Sequence, residues 1–403
     1  MKFTELKLHP SLQESISAMG FVETTPIQAE TLPAILNKKD LIACAQTGTG
    51  KTAAYIIPVL NKLITNPTSD VDTLIIVPTR ELALQIDQQF EGLSYFLDVS
   101  SVAIYGGGDG DSWTTQKNAL VQGTNIVIAT PGRLISHMNF GYVNFDKLTH
   151  LILDEADRML DMGFFEDIVK ITSSIPEKRQ TLMFSATMPE KIRKLAHKVL
   201  ENPVEVNLAL SKPAEAILQV AYLVYDQNKI ALIKKLLDGK DLKSILIFSA
   251  TKRNVKSIRA ELVRIGLNAK EIHSDLEQSE REQVILEFRN RKTQILVATD
   301  ILARGIDIEE IDLVLNFDVP GDAEDYVHRV GRTARAKASG VAITFINDTE
   351  QGKFKKIEEL IELNLIKLPT PEEIGESPKY EVKKLNSNKG QYKKRYYKPK
   401  RKQ

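Results

Sequence analysis

The chain has 403 residues, 42% hydrophobic and 27% charged, which is ample for two full cores and excludes a peptide module; no apolar run approaches the ~18 residues of a membrane helix. A single cysteine, Cys44, excludes an intrachain disulfide and an all-cysteine metal site and fits a reducing cytosol, and the N-terminus MKFTELKLHP reads as no secretory signal. The formal net charge of +1 hides an asymmetry: residues 379–403 hold eleven Lys/Arg against Glu381, a net of +10, so the first 378 residues sum to −9, an acidic body with a basic tail suited to a polyanionic partner.

In chain order, the apolar run LIAC (41–44) leads into AQTGTGKT and then a helix-like TAAYIIPVL. Short β-branched runs follow at 74–79, 101–107, 125–131, 150–156 and 181–187, separated by stretches of near-3.6 periodicity. This is the βαβ signature of a parallel sheet with helices on both faces. A second series at 244–251, 294–300, 312–320 and 341–347 predicts a second such unit. Between them NLALSKPAEA breaks both periodicities and reads as a linker. The expected division is a first domain over 1–207, a linker over 208–216, a second domain over 217–368 and, after Pro369, Pro371 and Gly375, a basic tail over 369–403 too poor in apolar residues to fold alone. The string FSAT stands at 184–187 and again at 248–251, a weak hint that the two units are related.

The strongest chemical signal is the stretch Ala45, Gln46, Thr47, Gly48, Thr49, Gly50, Lys51, Thr52. Its glycines free backbone N–H groups to cradle phosphates, Lys51 reaches the terminal phosphate oxygens, and the Thr52 hydroxyl suits Mg²⁺. Asp154 and Glu155 end the strand-like HLIL, at the edge where α/β sheets bind ligands. Asp154 would hold Mg²⁺ through water and Glu155 would orient or deprotonate the attacking water; the bland alternative is a charged helix N-terminus. HRVGRTAR (328–335) sets Arg329, Arg332 and Arg335 at a spacing that predicts one helical face, where like charges repel unless an anion is present. A cradle in one unit and arginines in the other predict a site completed only when the units close on each other.

These motifs resemble those of the DEAD-box ATP-dependent RNA helicases. Asp154-Glu155-Ala156-Asp157 spells the name, and the remaining signatures follow in the family's order from Phe3 to Arg335. The resemblance implies two tandem RecA-like α/β domains, ATP and Mg²⁺ as nucleotide and metal, and RNA bound with little sequence preference. Gln28 would read the adenine edge with both amide functions, and Phe21 would stack on the ring. Asp157, Ser185 and Thr187 would couple the ATP site to strand separation, with Arg304, His328 and Arg329 organising the interface. Asp307 would also feel the nucleotide. Arg332 and Arg335 would act as arginine fingers. RNA contacts fall on Pro78, Thr79, Arg80, Gly106, Gly107, Thr130, Pro131 and Arg133 in the first unit and on Gln278, Arg281, Thr299 and Asp300 in the second. DRMLDMGF, YVHRVGRTARA and the short basic tail look most like the RhlE-type bacterial branch. The Ala334 that replaces a usual glycine is tolerable on a helix.

The implied activity is RNA-stimulated ATP hydrolysis with local unwinding of short duplexes, by a cytoplasmic monomer whose larger partners would be ribosomal-precursor or RNA-decay complexes. The rival from another class is an ATP-gated RNA clamp with incidental unwinding; a DNA translocase is disfavoured by the DEAD string. Other features read as structural. Cys44 reads as a small residue closing a strand, and Trp113 as packing at a helix start. The histidines lack zinc-type spacing, and the Asp-Gly-Asp at 109–111 is too short for a calcium loop.

Overall fold

The computed structural model describes residues 1–45, 48–107, 110–208, 217–300, 311–333 and 340–381, with the backbone alone at 110, 111 and 278. Seven strands make the first sheet: β1 (Leu41–Cys44), β2 (Thr73–Ile76), β3 (Ser101–Ile104), β4 (Ile126–Ala129), β5 (His150–Leu153), β6 (Gln180–Ser185) and β7 (Val204–Asn207). They are ordered β3-β4-β2-β5-β6-β1-β7 and all pair in parallel. The helices are α1 (Pro10–Ala18), α2 (Pro26–Leu36), α3 (Lys51–Thr65), α4 (Arg80–Ser94), α5 (Gly110–Gln122), α6 (Pro131–Asn139), α7 (Ala156–Asp161), α8 (Phe165–Thr172) and α9 (Glu190–Val199).

The second sheet contains β8 (Ile217–Leu223), β9 (Ile245–Phe248), β10 (Ala269–Ile272), β11 (Ile295–Ala298), β12 (Leu313–Asn316), β13 (Gly340–Ile346) and β14 (Ile366–Pro369). Its order, β10-β11-β9-β12-β13-β8-β14, repeats that of the first sheet position by position. Its helices are α10 (Lys229–Leu237), α11 (Lys252–Arg264), α12 (Gln278–Arg289), α13 (Ala323–Val330) and α14 (Gln351–Ile361). These are the two tandem RecA-like units expected.

Both faces of each sheet are covered, which is why the central strands are mainly apolar and buried along their length. In β2, Ile75 packs with α1 to α4, while Leu74 and Ile76 pack with α5 to α9. The strands missed in sequence are mostly polar edge or near-edge segments: VEVN of β7 is largely exposed, and AKEI of β10 carries two charged residues. The two FSAT strings do not mark equivalent places, since β6 is fifth in its sheet and β9 third in the other. No helix among the described residues is long and apolar enough to cross a membrane.

The tail begins later than its composition suggests. Thr370 Oγ1 donates to the Leu223 carbonyl (2.7 Å), and Gln351 holds the Lys379 carbonyl and the Glu381 N–H, each at 2.7 Å. Tyr380 packs against the α13–α14 core under the Lys367 ammonium (4.6 Å). Residues 370–381 thus dock on the second unit without helical or strand periodicity, which is why sequence patterning passed over them. The remainder of the tail and the linker core, 209–216, lie outside the described residues.

At the N-terminal ends of β2 and β5, buried Asp72 is gripped by Lys62, by Thr149 Oγ1 (2.8 Å) and by His150 Nδ1 (3.5 Å). Burial alone would raise its carboxyl, but hydrogen bonds from His150, Lys62 and Thr149 outweigh it and draw the pKa down to about 2. A carboxyl depressed on folding stabilises fully above about pH 4 and loses that contribution as pH falls towards 2. The Asp72→Asn variant is therefore expected to unfold more easily than the parent at pH 7, by about 2 kcal/mol, with the gap closing below pH 3. Urea titrations across that range measure it, and a gap independent of pH would contradict the assignment.

Candidate nucleotide and nucleic-acid site

The C-terminal ends of the strands in the first sheet build the cradle. β1 ends at Cys44, whose thiol burial pushes up and whose Sγ donates to the Ala186 carbonyl (3.3 Å). Gly48 and Gly50 lie at φ +81° and +92°, the left-handed region that glycine enters without strain. At Gly50 space is equally restrictive, because a Cβ would stand 2.5 Å from Gln28 Nε2. Lys51 opens α3, is buried, and donates to the Ala45 carbonyl (2.6 Å). Gln28 donates to the Gly50 carbonyl (3.0 Å) and accepts from the Thr25 N–H (2.9 Å). Its amide therefore has one N–H and one lone pair committed within the chain, rather than both functions free for a base. Phe21 is 37% exposed and stacks on buried Phe3 with ring centroids 6.1 Å apart. Gln46 and Thr47 lie outside the described residues.

Asp154 follows β5 and is 3% exposed. It accepts from the Tyr55 hydroxyl (2.9 Å) and from the Glu155 N–H (2.9 Å). Burial raises its carboxyl to about 6, with Lys51 opposing and Glu155 adding to the rise. Glu155 is a non-glycine residue at φ +49°, a strained backbone of the kind found at functional sites, and its carboxylate accepts from Arg158 Nη1 (3.1 Å). Asp157 Oδ2 accepts from the N–H groups of Ala186 (3.1 Å) and Thr187 (3.0 Å) and from Thr187 Oγ1 (3.1 Å), while Ser185 Oγ donates to the Thr187 carbonyl (2.6 Å). The hard oxygen donors of Thr52 and Asp154, with the glycine cradle and Lys51 beside them, fit a Mg²⁺–nucleotide.

Between the two units runs a cleft of about 970 Å³. It is lined by Pro78, Thr79, Arg80, Gly106, Gly107, Thr130 and Arg133 from the first unit and by Arg281 from the second. Arg80 lies 4.5 Å above the Tyr105 ring and pairs across the cleft with Glu282 (2.8 Å). Arg133 stacks on Trp113 (4.4 Å), and Trp113 in turn stacks on His137 (4.0 Å, 12° between planes). Gln116 Oε1 accepts from Arg133 Nε (2.9 Å) and faces His137 Nε2 (3.1 Å), so Nε2 carries the proton and Nδ1 accepts from the Tyr142 hydroxyl. Burial, then Arg133, lowers His137 to about 4 and keeps it neutral at pH 7. Trp113 is thus the packing residue its sequence context suggested, and it also serves as the platform that aims Arg133. Arg281 donates to the carbonyls of Leu276 and Ser274, both at 3.0 Å, and shapes the facing rim. Pro131 is buried at the start of α6 and is not itself among the cleft-lining residues, and Gln278 opens α12 with its side chain outside the description.

The arginine cluster departs from the helical-face expectation. α13 stops at Val330, Gly331 caps it, and Arg332 sits half-buried in the following turn. Arg329 is 1% exposed, bidentate to Asp300 (2.6 and 2.8 Å), bonded to Asn316 Oδ1 (3.1 Å) and to the Asp318 carbonyl (3.0 Å), and set over Phe248. It is committed inside the second unit instead of at the boundary, and it takes the Asp300 carboxylate with it; a guanidinium so satisfied gains nothing by facing solvent. Thr299 and His328 are half-buried. Arg304, Asp307 and Arg335 lie outside the described residues.

Sequence reasoning missed Tyr55, Arg158 and Glu282, whose partners are fixed only by packing, and it also missed a counterpart of the cradle. Lys229 opens α10 after β8 as Lys51 opens α3 after β1, in the same sheet position. The connection Tyr225 to Asn228 has no glycine, and Lys229 is 0% exposed, paired with Asp226 (2.8 Å) and Asp318 (3.4 Å).

Two family models match the chain: a DEAD/DEAH box helicase over residues 25–195 and a helicase conserved C-terminal domain over 228–337. The ATP-dependent RNA helicase CshA of Listeria monocytogenes is 40% identical over 92% of this chain and 71% of its own length. The CshA helicase of Geobacillus kaustophilus is 41% identical over 92% and 78%. Among solved structures, S. cerevisiae Dbp5 bound to RNA and ADP BeF3 superposes with a TM-score of 0.81 at 30% identity, covering 92% of this chain and 96% of that one. Mss116p bound to ssRNA and AMP-PNP reaches 0.81 at 31%, over 92% and 80%. A DEAD box protein from Methanococcus jannaschii, 38% identical over 91% and 99%, reaches only 0.53. A score near 0.8 over nine-tenths of this chain requires both sheets to superpose together, so the two units are disposed here as in Dbp5 and Mss116p.

The Tyr55–Asp154 bond gives a direct test. Tyr55→Phe leaves a buried carboxylate oxygen without its donor and is expected to destabilise the first unit by about 1–2 kcal/mol. Wild-type resistance to urea would show that the hydroxyl does not serve Asp154.

Proposed function

The chain belongs to the DEAD-box ATP-dependent RNA helicases and is an RNA-dependent ATPase that unwinds RNA; on that footing we propose how its residues divide the work. The observation that carries the proposal is the shared cleft, lined from both units by loops at the C-terminal ends of their strands. Those loops offer hydroxyls, arginines and glycine-freed N–H groups, which hold phosphates without reading bases. RNA in the cleft and ATP in the cradle both favour the closed arrangement, so each raises the other's affinity by linkage.

At the cradle, Lys51 moves its ammonium from the Ala45 carbonyl to the phosphate oxygens, and Thr52 with Asp154 would hold Mg²⁺, largely through water. When bound, Mg²⁺ supplies charge neutralisation at the transferred phosphoryl group. Glu155, steadied by Arg158, orients the attacking water and takes its proton. Arg332 and Arg335 meet the developing negative charge, by analogy with arginine fingers that contribute on the order of 10³ to 10⁵ in rate. Gln28 and Phe21 select adenine, with Gln28 also bound to the phosphate turn through Gly50. Asp157 ties the acids of β5 to Ser185-Ala186-Thr187 and so passes the nucleotide state towards the cleft.

The division into a first domain to residue 207 and a second from 217 is proposed on the two sheets, and the basic residues beyond Glu381 are proposed as an auxiliary RNA-binding tail. DRMLDMGF, YVHRVGRTARA and that tail support an RhlE-type placement within the family, proposed on those residues alone beside relatives that carry the CshA name. A cytoplasmic monomer acting on ribosomal-precursor or RNA-decay complexes is the corresponding cellular proposal.

Glu155→Gln is expected to bind ATP and RNA yet hydrolyse at least ~100-fold more slowly, trapping the closed complex. Lys51→Ala is expected to lose nucleotide affinity instead. Single-turnover hydrolysis beside nucleotide and RNA retention separates the two, and near-parental turnover by Glu155→Gln would remove that residue from its role. Ending the chain after Glu381 removes ten Lys/Arg. If about five of them displace counterions, the salt dependence of RNA binding should flatten by roughly 3 to 4 in log–log slope, with maximal ATP turnover intact. Unchanged affinity at about 50 mM salt would refute a role for the tail.

A further inference from the structure

The proposed mechanism leaves one strongly charged surface unused, the outer face of α11. Val255, Ile258 and Leu262 face the sheet and are buried, and between Lys252 and Arg259 every other residue is exposed. That outer face carries Lys252, Arg253, Lys256, Arg259 and Arg264. Two carboxylates answer them: Asp275 accepts from Lys252 (2.7 Å) and Lys256 (3.1 Å), and Glu261 accepts from Arg264 (2.7 Å). Five cations and one acid leave +4 on the 13-residue helix, and +3 once Asp275 beside it is counted, within a body that sums to −9. Among the described residues no carboxylate lies within ion-pair distance of Arg253 or Arg259. Such a row over about 20 Å of helix repels itself unless an anion lies along it.

The location indicates which anion. Asp275 directly follows Ser274, which lines the cleft and whose carbonyl is held by Arg281. α11 therefore starts at the cleft rim and runs back along the flank of the second sheet, continuous with the RNA path.

We propose that the basic outer face of α11 binds the sugar–phosphate backbone of a single RNA strand where it leaves the cleft over the second unit. The inference rests on the cleft being the RNA path. It lengthens the footprint without adding base readout, because arginine and lysine meet phosphate irrespective of sequence.

The test is the double variant Arg253→Ala with Arg259→Ala in the full chain. Both side chains are exposed and stand outside the ATP cradle and the cleft lining. Affinity is read by fluorescence anisotropy for unstructured strands of about 8 and about 25 nucleotides, over a salt series. The longer strand is expected to bind about tenfold more weakly at about 50 mM salt, with a log–log salt slope shallower by about 1.4 for two lost phosphate contacts. The shorter strand and RNA-independent ATP turnover should be unchanged. Equal loss on both lengths, or no loss on the longer strand, overturns the proposal. Unchanged RNA affinity with weakened binding of a polyglutamate probe would assign the face to an acidic protein and overturn it likewise. If the parent chain neither binds the short strand nor is stimulated by it, the cleft reading itself fails.

Discussion

Asp157 Oδ2 gathers three hydrogen bonds from Ala186 and Thr187, and the arrangement of the site depends on that one oxygen. It joins the segment after β5, which carries Asp154 and Glu155, to the segment after β6, which returns to β1 through the Ala45 N–H on the Ser185 carbonyl. The cradle, the acids and the serine–threonine loop are thereby parts of one rigid edge. A carboxylate that accepts several N–H bonds in a partly buried position is strongly held, so a shift at any of the three segments is felt by the others. The second unit repeats the device: Asp318 Oδ2 accepts from Ser249 Oγ (2.6 Å) and the Ala250 N–H (2.9 Å). The two FSAT strings therefore share a latch chemistry without sharing a place in the sheet.

Comparison of the two units explains why they do different work on one strand order. Both begin a helix with a buried lysine at the same sheet position, Lys51 and Lys229. Around Lys51 the turn is glycine-rich, and its ammonium rests on a neutral carbonyl that can be exchanged for phosphate. Around Lys229 the carboxylates of Asp226 and Asp318 already neutralise the charge, and the connecting loop lacks the left-handed glycines that turn N–H groups inward. An ammonium paired in the interior would have to give up those partners to bind an outside anion, at a cost of several kcal/mol.

The arginines divide along the same physical line. Arg329 is consumed by Asp300, Asn316 and the Asp318 carbonyl and braces the second sheet, whereas Arg80 and Arg133 lie over Tyr105 and Trp113 at the cleft and are both half-buried. Aromatic support holds Arg133 in place without neutralising it, which suits a group meant to meet phosphate, whereas Arg80 would have to exchange its Glu282 ion pair for one. Identical residue types thus serve as internal brace or external contact according to how fully the guanidinium is buried and bonded: Arg329 is 1% exposed with Asp300, Asn316 and the Asp318 carbonyl as partners, whereas Arg80 and Arg133 stay partly exposed at the cleft.

The sequence by itself determined the βαβ alternation, the two units and the glycine-rich turn after β1, because apolar periodicity and glycine spacing act over a few residues and survive without tertiary context. It also determined that Asp154 and Glu155 end a strand, since the apolar run before them stops there. Only the tertiary structure decided which groups those motifs touch. Gln28 meets Gly50 across 22 residues of chain, and Tyr55 meets Asp154 across 99. The helical face drawn through Arg329, Arg332 and Arg335 failed at Gly331, where the helix ends, and the docking of 370–381 on α14 left no periodic trace. Hydrogen-bond partners are chosen by which elements the sheet order brings together, and that order is a property of the whole packed chain, not of any stretch along it.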